Sequence, residues 1–175
     1  SEEEEKVKDI ERKLRKHNKE VKDTERENEK RLRELRRTVE EDRKDAEREL
    51  ERIKRVVERG EVDEETLKKI LKDLRRKLEE LRKRIEELKR RLERHHEEVE
   101  RRLEESLRRL EDTLRKLEKS EELDRLEKEL RESIRRAEEL LKDSKRRADE
   151  LIERIKDVLR KVKEKIEKLI EDTRR

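Results

Sequence analysis

The chain has 175 residues, with 59 Lys+Arg against 55 Asp+Glu for a formal net charge of +4; 65% of residues are charged and 26% hydrophobic. There is no Cys, Pro, Met, Trp, Tyr or Phe, and one Gly, so disulfides and thiolate chemistry are excluded. No stretch approaches the ~20 apolar residues of a membrane span, and no signal peptide or lipidation motif is visible.

High charge with low hydrophobicity also marks disorder, and the spacing of the apolar residues decides between the two. In the first third, apolar or small polar positions run Val7, Ile10, Leu14, His17, Val21, Thr24, Asn28, Leu32, Leu35 and Val39, then Ala46, Leu50, Ile53 and Val57, with Asp42 holding one place. Steps of three and four keep phase for fifty residues, which random polar tracts do not do. From Ile10 to Asn28 five steps cover 18 residues, or 3.6 per step. A heptad would give ~3.5 and a left-handed supercoil, whereas this period predicts a nearly straight helix. The first helix is expected over about 2–59, opened by Ser1 and the acidic run Glu2 to Glu5, which complements the helix dipole.

Gly60, after Arg59, suits the left-handed position that closes a helix. Asp63 follows as an N-cap, with Glu64 and Glu65 in the first turn, and Val62 and Leu67 have the spacing of a hydrophobic staple. The second helix is expected over about 64–118. Its seam is Leu67, Leu71, Leu74, Leu78, Leu81, Ile85, Leu88, Leu92, His95, Val99, Leu103, Ser106, Leu110, Thr113 and Leu117. Glu79–Lys83, Glu80–Arg84, Glu86–Arg90 and Glu87–Arg91 stand four apart on its outward face, where each pair adds ~0.2–0.5 kcal/mol.

After Leu117 the seam loses phase and restarts at Leu123, and Ser120-Glu121-Glu122 reads as a second N-cap. The third helix is expected over about 121–174, with Arg174 and Arg175 favouring its C-terminal dipole. Its seam is Leu123, Leu126, Leu130, Ser133, Ala137, Leu141, Ser144, Ala148, Leu151, Ile155, Val158, Val162, Ile166 and Leu169. The predicted architecture is all-α: a long, nearly straight antiparallel three-helix bundle, up-down-up, as a single domain over 1–175. Its helices of about 55 residues would be roughly 80 Å long.

Folding the chain back at Gly60 and again at Ser120 tests this internally. His17 then meets Ser106, and Ser106 meets Ser133; Asn28 meets His95, and His95 meets Ser144. Ala46 faces Leu78 and Val162, Ala137 faces Val21 and Leu103, and Ala148 faces Leu32 and Leu92, so small sits against large. His17, Ser106, Ser133, Asn28, His95 and Ser144 are therefore expected to form buried polar layers that satisfy one another and penalise slipped registers. Thr24, Thr38, Thr113 and His96 are expected at the edge of the core, reaching water. If burial lowers the histidine pKa values, stability falls in acid.

Chemistry beyond this finds no motif. His95-His96-Glu97-Glu98 lacks the second His of a zinc helix, since position 99 is Val99. Glu93 and His96 have Glu-x-x-His spacing, but a di-iron bundle needs two such motifs and two further glutamates. No metal, cofactor or catalytic site is assigned, and no enzymatic activity is expected. Basic residues alternate with acidic ones and there are no aromatics for base stacking, which argues against nucleic acid. A membrane-surface helix would carry a richer apolar face. Leu107, Leu114, Ile134, Leu140, Ile152, Leu159 and Ile170 lie off the seams and are read as widening the core. The sequence favours a soluble monomer that requires no partner, although a homo-oligomer or a helix exchanged between chains would keep identical contacts.

The three seams, the polar layers, the 3.6 period, the Ser1 start without Met and the Glu/Lys/Arg surface resemble de novo, parametrically designed helical bundles with buried hydrogen-bond networks. That resemblance covers the whole chain and implies a scaffold with no natural substrate. Its alternative is a helical module whose buried histidines switch opening or assembly with pH. Spectrin-type three-helix repeats share the architecture, but the buried tryptophan expected of them is absent.

Overall fold

A computed structural model describes residues 2–60, 62–116 and 121–173. Three long helices account for nearly all of them: α1 (Glu2–Glu58), α2 (Glu64–Arg115) and α3 (Glu121–Thr173). The described residues contain no strand. Ser1, Leu117, Ser120, Arg174 and Arg175, which mark expected helix ends, lie outside the described residues.

The first turn is built as its residues dictate. α1 stops at Glu58, one residue short of the expected end, and Gly60 takes φ 68°, a left-handed conformation that costs a residue with a Cβ roughly 1–2 kcal/mol. Its N–H reaches back to the Val57 carbonyl at 3.2 Å, so the turn satisfies part of the helix end. Asp63 Oδ1 accepts the Thr66 N–H at 2.7 Å, and the Leu67 N–H bonds the Asp63 carbonyl at 3.0 Å, which starts α2. That hydrogen-bonded position lowers the Asp63 pKa through Thr66. At the far end of α2, Lys116 has already left the helix for a turn, short of the expected residue 118.

The chain divides into two compact units, 1–32 with 93–148, and 33–92 with 149–175. Each contains part of all three helices. In the first, cross-helix partners step from His17 with Ser106 to Asn28 with His95, so α1 and α2 run antiparallel. The α1–α3 partners Asn18 with Ser133 and Asn28 with Ser144 rise together, so those two helices run parallel. In the second unit Asp42 with Arg84 and Glu49 with Lys77 are antiparallel. There, Glu40 with Arg154 and Glu47 with Lys165 are parallel. Each unit is therefore an up-down-up three-helix arrangement.

The seams form the core. In the first unit Leu14, Leu110 and Leu130 form one cluster, with Ile10, Leu114 and Ile134 packed against it. Leu74, Ile155, Val158 and Val162 are buried in the second. Leu107 is buried, and the other off-seam residues Leu114, Ile134, Leu140, Ile152, Leu159 and Ile170 are half-buried, so they widen the core. No large hydrophobic side chain is exposed among the described residues. Outside, ion pairs one turn apart, such as Glu87–Arg91 at 2.9 Å, lace the solvated faces.

Candidate functional site

Polar side chains enter the core of the first unit at two heights. At the first, α1 presents His17 because it falls on the apolar stripe, and α2 presents Ser106 for the same reason. Both are buried, and the Ser106 hydroxyl is hydrogen-bonded to His17 Nδ1. Ser133, on α3, does not bond the imidazole through its side chain. Its hydroxyl donates to Asn18 Oδ1 at 3.0 Å. Asn18 neighbours His17 on α1 and lies half-buried off the seam, which is why apolar periodicity did not select it. His17 Nε2 is buried with no hydrogen-bond partner. The Ser133 main chain favours a charged ring, but no acceptor stands at hydrogen-bond geometry to that nitrogen. Burial dominates and pushes the His17 pKa below its ordinary value, with Ser133 and the Glu20 charge opposing it.

At the second height Asn28 is the hub. His95 Nε2–H donates to Asn28 Oδ1 at 2.7 Å, and Asn28 Nδ2 donates to Ser144 Oγ at 3.1 Å. One amide thus reaches α2 and α3 at once, using an acceptor and a donor on a single short side chain. His95 and Ser144, expected to face each other directly, are joined through Asn28. His95 is half-buried rather than buried, whereas Asn28 and Ser144 are 3% and 2% exposed. Burial lowers the His95 pKa, and the positive charge of Arg31 adds to the effect.

The edge residues divide. Thr24, expected to reach water, is instead buried at 1% exposure, and its hydroxyl donates to the Glu20 carbonyl at 2.8 Å within its own helix. A threonine can fill a core position this way without any partner on another helix. Thr38 and Thr113 make the same bond, to the carbonyls of Glu34 and Arg109, but stay half-buried. His96 is half-buried, with Nε2 3.8 Å from Glu100 and a buried Nδ1 that has no partner.

The second unit buries a carboxylate. Asp42, admitted to the α1 seam only as a place-holder, is 7% exposed. Burial raises its pKa, opposed first by the Arg84 charge. Arg84 Nε lies 2.8 Å from Oδ2, yet its N–H is not aligned with that oxygen, which has no hydrogen-bond partner. Nearby Glu49 is held down to about 2 by hydrogen bonds from Arg52 and Lys77.

Ser106 and His17 form a buried hydroxyl–imidazole pair, and the other polar contacts of the first unit's layers join amide, hydroxyl and imidazole groups. Among the described residues no three His, Cys, Asp or Glu side chains converge on a possible metal position, and no helix is long and apolar enough to cross a membrane. The cross-helix hydrogen bonds join α1 to α2 and α1 to α3.

No protein-family model and no curated protein matches the chain. Among solved structures it is similar to a computationally designed three-helix bundle, at 21% identity and a TM-score of 0.38, over 97% of this chain and 80% of that one.

Proposed function

We propose that the chain is a designed structural scaffold without enzymatic activity, in which His17, Ser106, Ser133, Asn28, His95 and Ser144 act as buried polar layers that set helix register. The observation that carries this reading is the Asn28 amide, bonded to His95 on α2 and to Ser144 on α3. Slipping any helix by one turn would leave these groups against hydrocarbon, at ~1–3 kcal/mol for each buried polar atom left unpaired. Designed origin is supported by a repeat held at 3.6 residues and by 175 residues without an aromatic. The chain is read as a single domain over 1–175 that needs no partner.

The test replaces the second layer with hydrocarbon: Asn28→Leu, His95→Leu and Ser144→Ala together. The parent is expected to give one set of amide resonances and a monomer by light scattering. The variant is expected to be at least as stable but to show several sets, or mixed oligomers. A variant with one set of resonances and unchanged size would contradict the proposal.

A second reading, acid-triggered loosening, is favoured by the unpartnered His17 Nε2. Protonating the ring would create a charge within the core, which burial opposes more than the Ser133 main chain and the Glu20 charge favour it.

A further inference from the structure

Asp42 belongs to no polar layer, and among the described residues it is the buried carboxylate. It borders a recess of about 270 Å³ in the second unit, walled mainly by Ala46, Leu50, Leu74, Leu81, Val162 and Ile166. Ala46 of α1 lines it, and its methyl fills little of the space a larger seam residue would occupy. Oδ2 of Asp42 accepts no hydrogen bond. Its one counter-charge, Arg84, is misaligned, and the Arg84 side chain is 64% exposed. The Arg84 end of this ion pair is solvated, and its charge offsets only part of the burial that raises the Asp42 pKa. The other acids on the rim are differently placed: Glu49 is occupied by Arg52 and Lys77, while Asp45 and Glu80 lie at 4.0 Å from Arg48 and Arg76.

We propose that this recess is a binding site for a small apolar amine, with the ammonium on Asp42 and the hydrocarbon body against Ala46, Leu50 and Val162. The chemistry selects that class. An ammonium brings three donors to a carboxylate oxygen that has none. A hydrocarbon body displaces water from a mostly apolar wall. A divalent metal is disfavoured, because the wall supplies no ring of oxygen ligands. The recess is also smaller than the ~300–1,000 Å³ of drug-sized pockets, which limits the ligand to a single ring or short branched chain. The raised pKa of Asp42 agrees, since a carboxylate that burial destabilises gains most from a close, well-aligned cation.

Cyclohexylammonium is the probe, titrated at fixed ionic strength while methyl resonances are followed by NMR. Saturable shifts are expected at Ala46, Leu50 and Val162. Cyclohexanol, which keeps the ring without the charge, is expected to bind at least about tenfold more weakly. Asp42→Asn, which keeps the shape, should weaken cyclohexylammonium binding by a similar factor. Ala46→Leu fills the recess and is expected to abolish saturation. Should that variant fail to fold, cyclohexanol and Asp42→Asn still decide. Non-saturating shifts spread over acidic surface residues would overturn the proposal, as would equal affinity for cyclohexanol or in Asp42→Asn.

Discussion

Replacing Asn28 with Ala removes both hydrogen bonds of the second polar layer while leaving the helix able to form. Ser144, at 2% exposure, loses its amide donor, and a buried hydroxyl stripped of its partner costs ~1–3 kcal/mol. His95 is half-buried, so water can reach the freed Nε2–H, and its share is about 1 kcal/mol. The expected loss is therefore about 2–4 kcal/mol, a fall in Tm on the order of 10 °C for a chain of this size. Guanidinium denaturation at pH 7.5, followed by circular dichroism, measures it. Combining Asn28→Ala with Ser144→Ala gives the coupling, expected near 1 kcal/mol, because the second change removes a group the first has already orphaned. A loss within the ~0.5 kcal/mol typical of surface substitutions, with no coupling, would mean that Asn28 makes no buried hydrogen bond of consequence.

Acid should weaken the fold. Burial lowers the pKa of His17 and His95, so the unfolded chain binds protons first, and stability is full above about pH 6.5 and declines as pH drops through it. The loss is ~1.4 kcal/mol per histidine for each pH unit over which only the unfolded ring is charged, less for His95, which water reaches. Urea midpoints at pH 7.5 and 5.5 should separate in the parent and converge in a variant carrying His17→Leu and His95→Leu; equal loss in both clears the histidines as the cause. Leu130→Ala removes a side chain with 0% exposure from the Leu14–Leu110 cluster and should cost about 2–5 kcal/mol in the same assay. Gly60→Ala meets no steric obstacle but must hold φ near 68°, so it should cost about 1–2 kcal/mol through backbone strain alone, whereas replacing a neighbouring residue such as Arg59 should not.

The helices were readable because steps of three and four keep phase within each of them: Leu14, Leu32, Leu92, Leu103, Leu130 and Ile155 sit on the seams and are buried. Gly60 and Asp63 were readable because each performs a local task that few residue types can. The polar partners were only half readable. Folding the chain back at its turns places His17 beside Ser106, and they are bonded. It cannot say that the Asn28 amide reaches both other helices, because that depends on side-chain length and rotamer rather than on register. Asn18 escaped because it lies off the seam; the signal that could have found it is that the chain has only two asparagines, Asn18 and Asn28. Thr24 was misread because a hydroxyl can bond its own helix four residues back and so be buried without a partner across the core. Asp42 held a seam place by spacing, but a buried carboxylate beside a cavity depends on the third dimension.

Asn28 joins its two neighbouring helices inside the core. ¹⁵N-detected NMR of the intact chain at pH 7.5 tests this most directly. His95 is expected to be neutral with its proton on Nε2, and the Asn28 side-chain amide to exchange with water far more slowly than an exposed one. An Asn28 amide exchanging at the free rate, or a His95 proton on Nδ1 with Nε2 open to solvent, would contradict it.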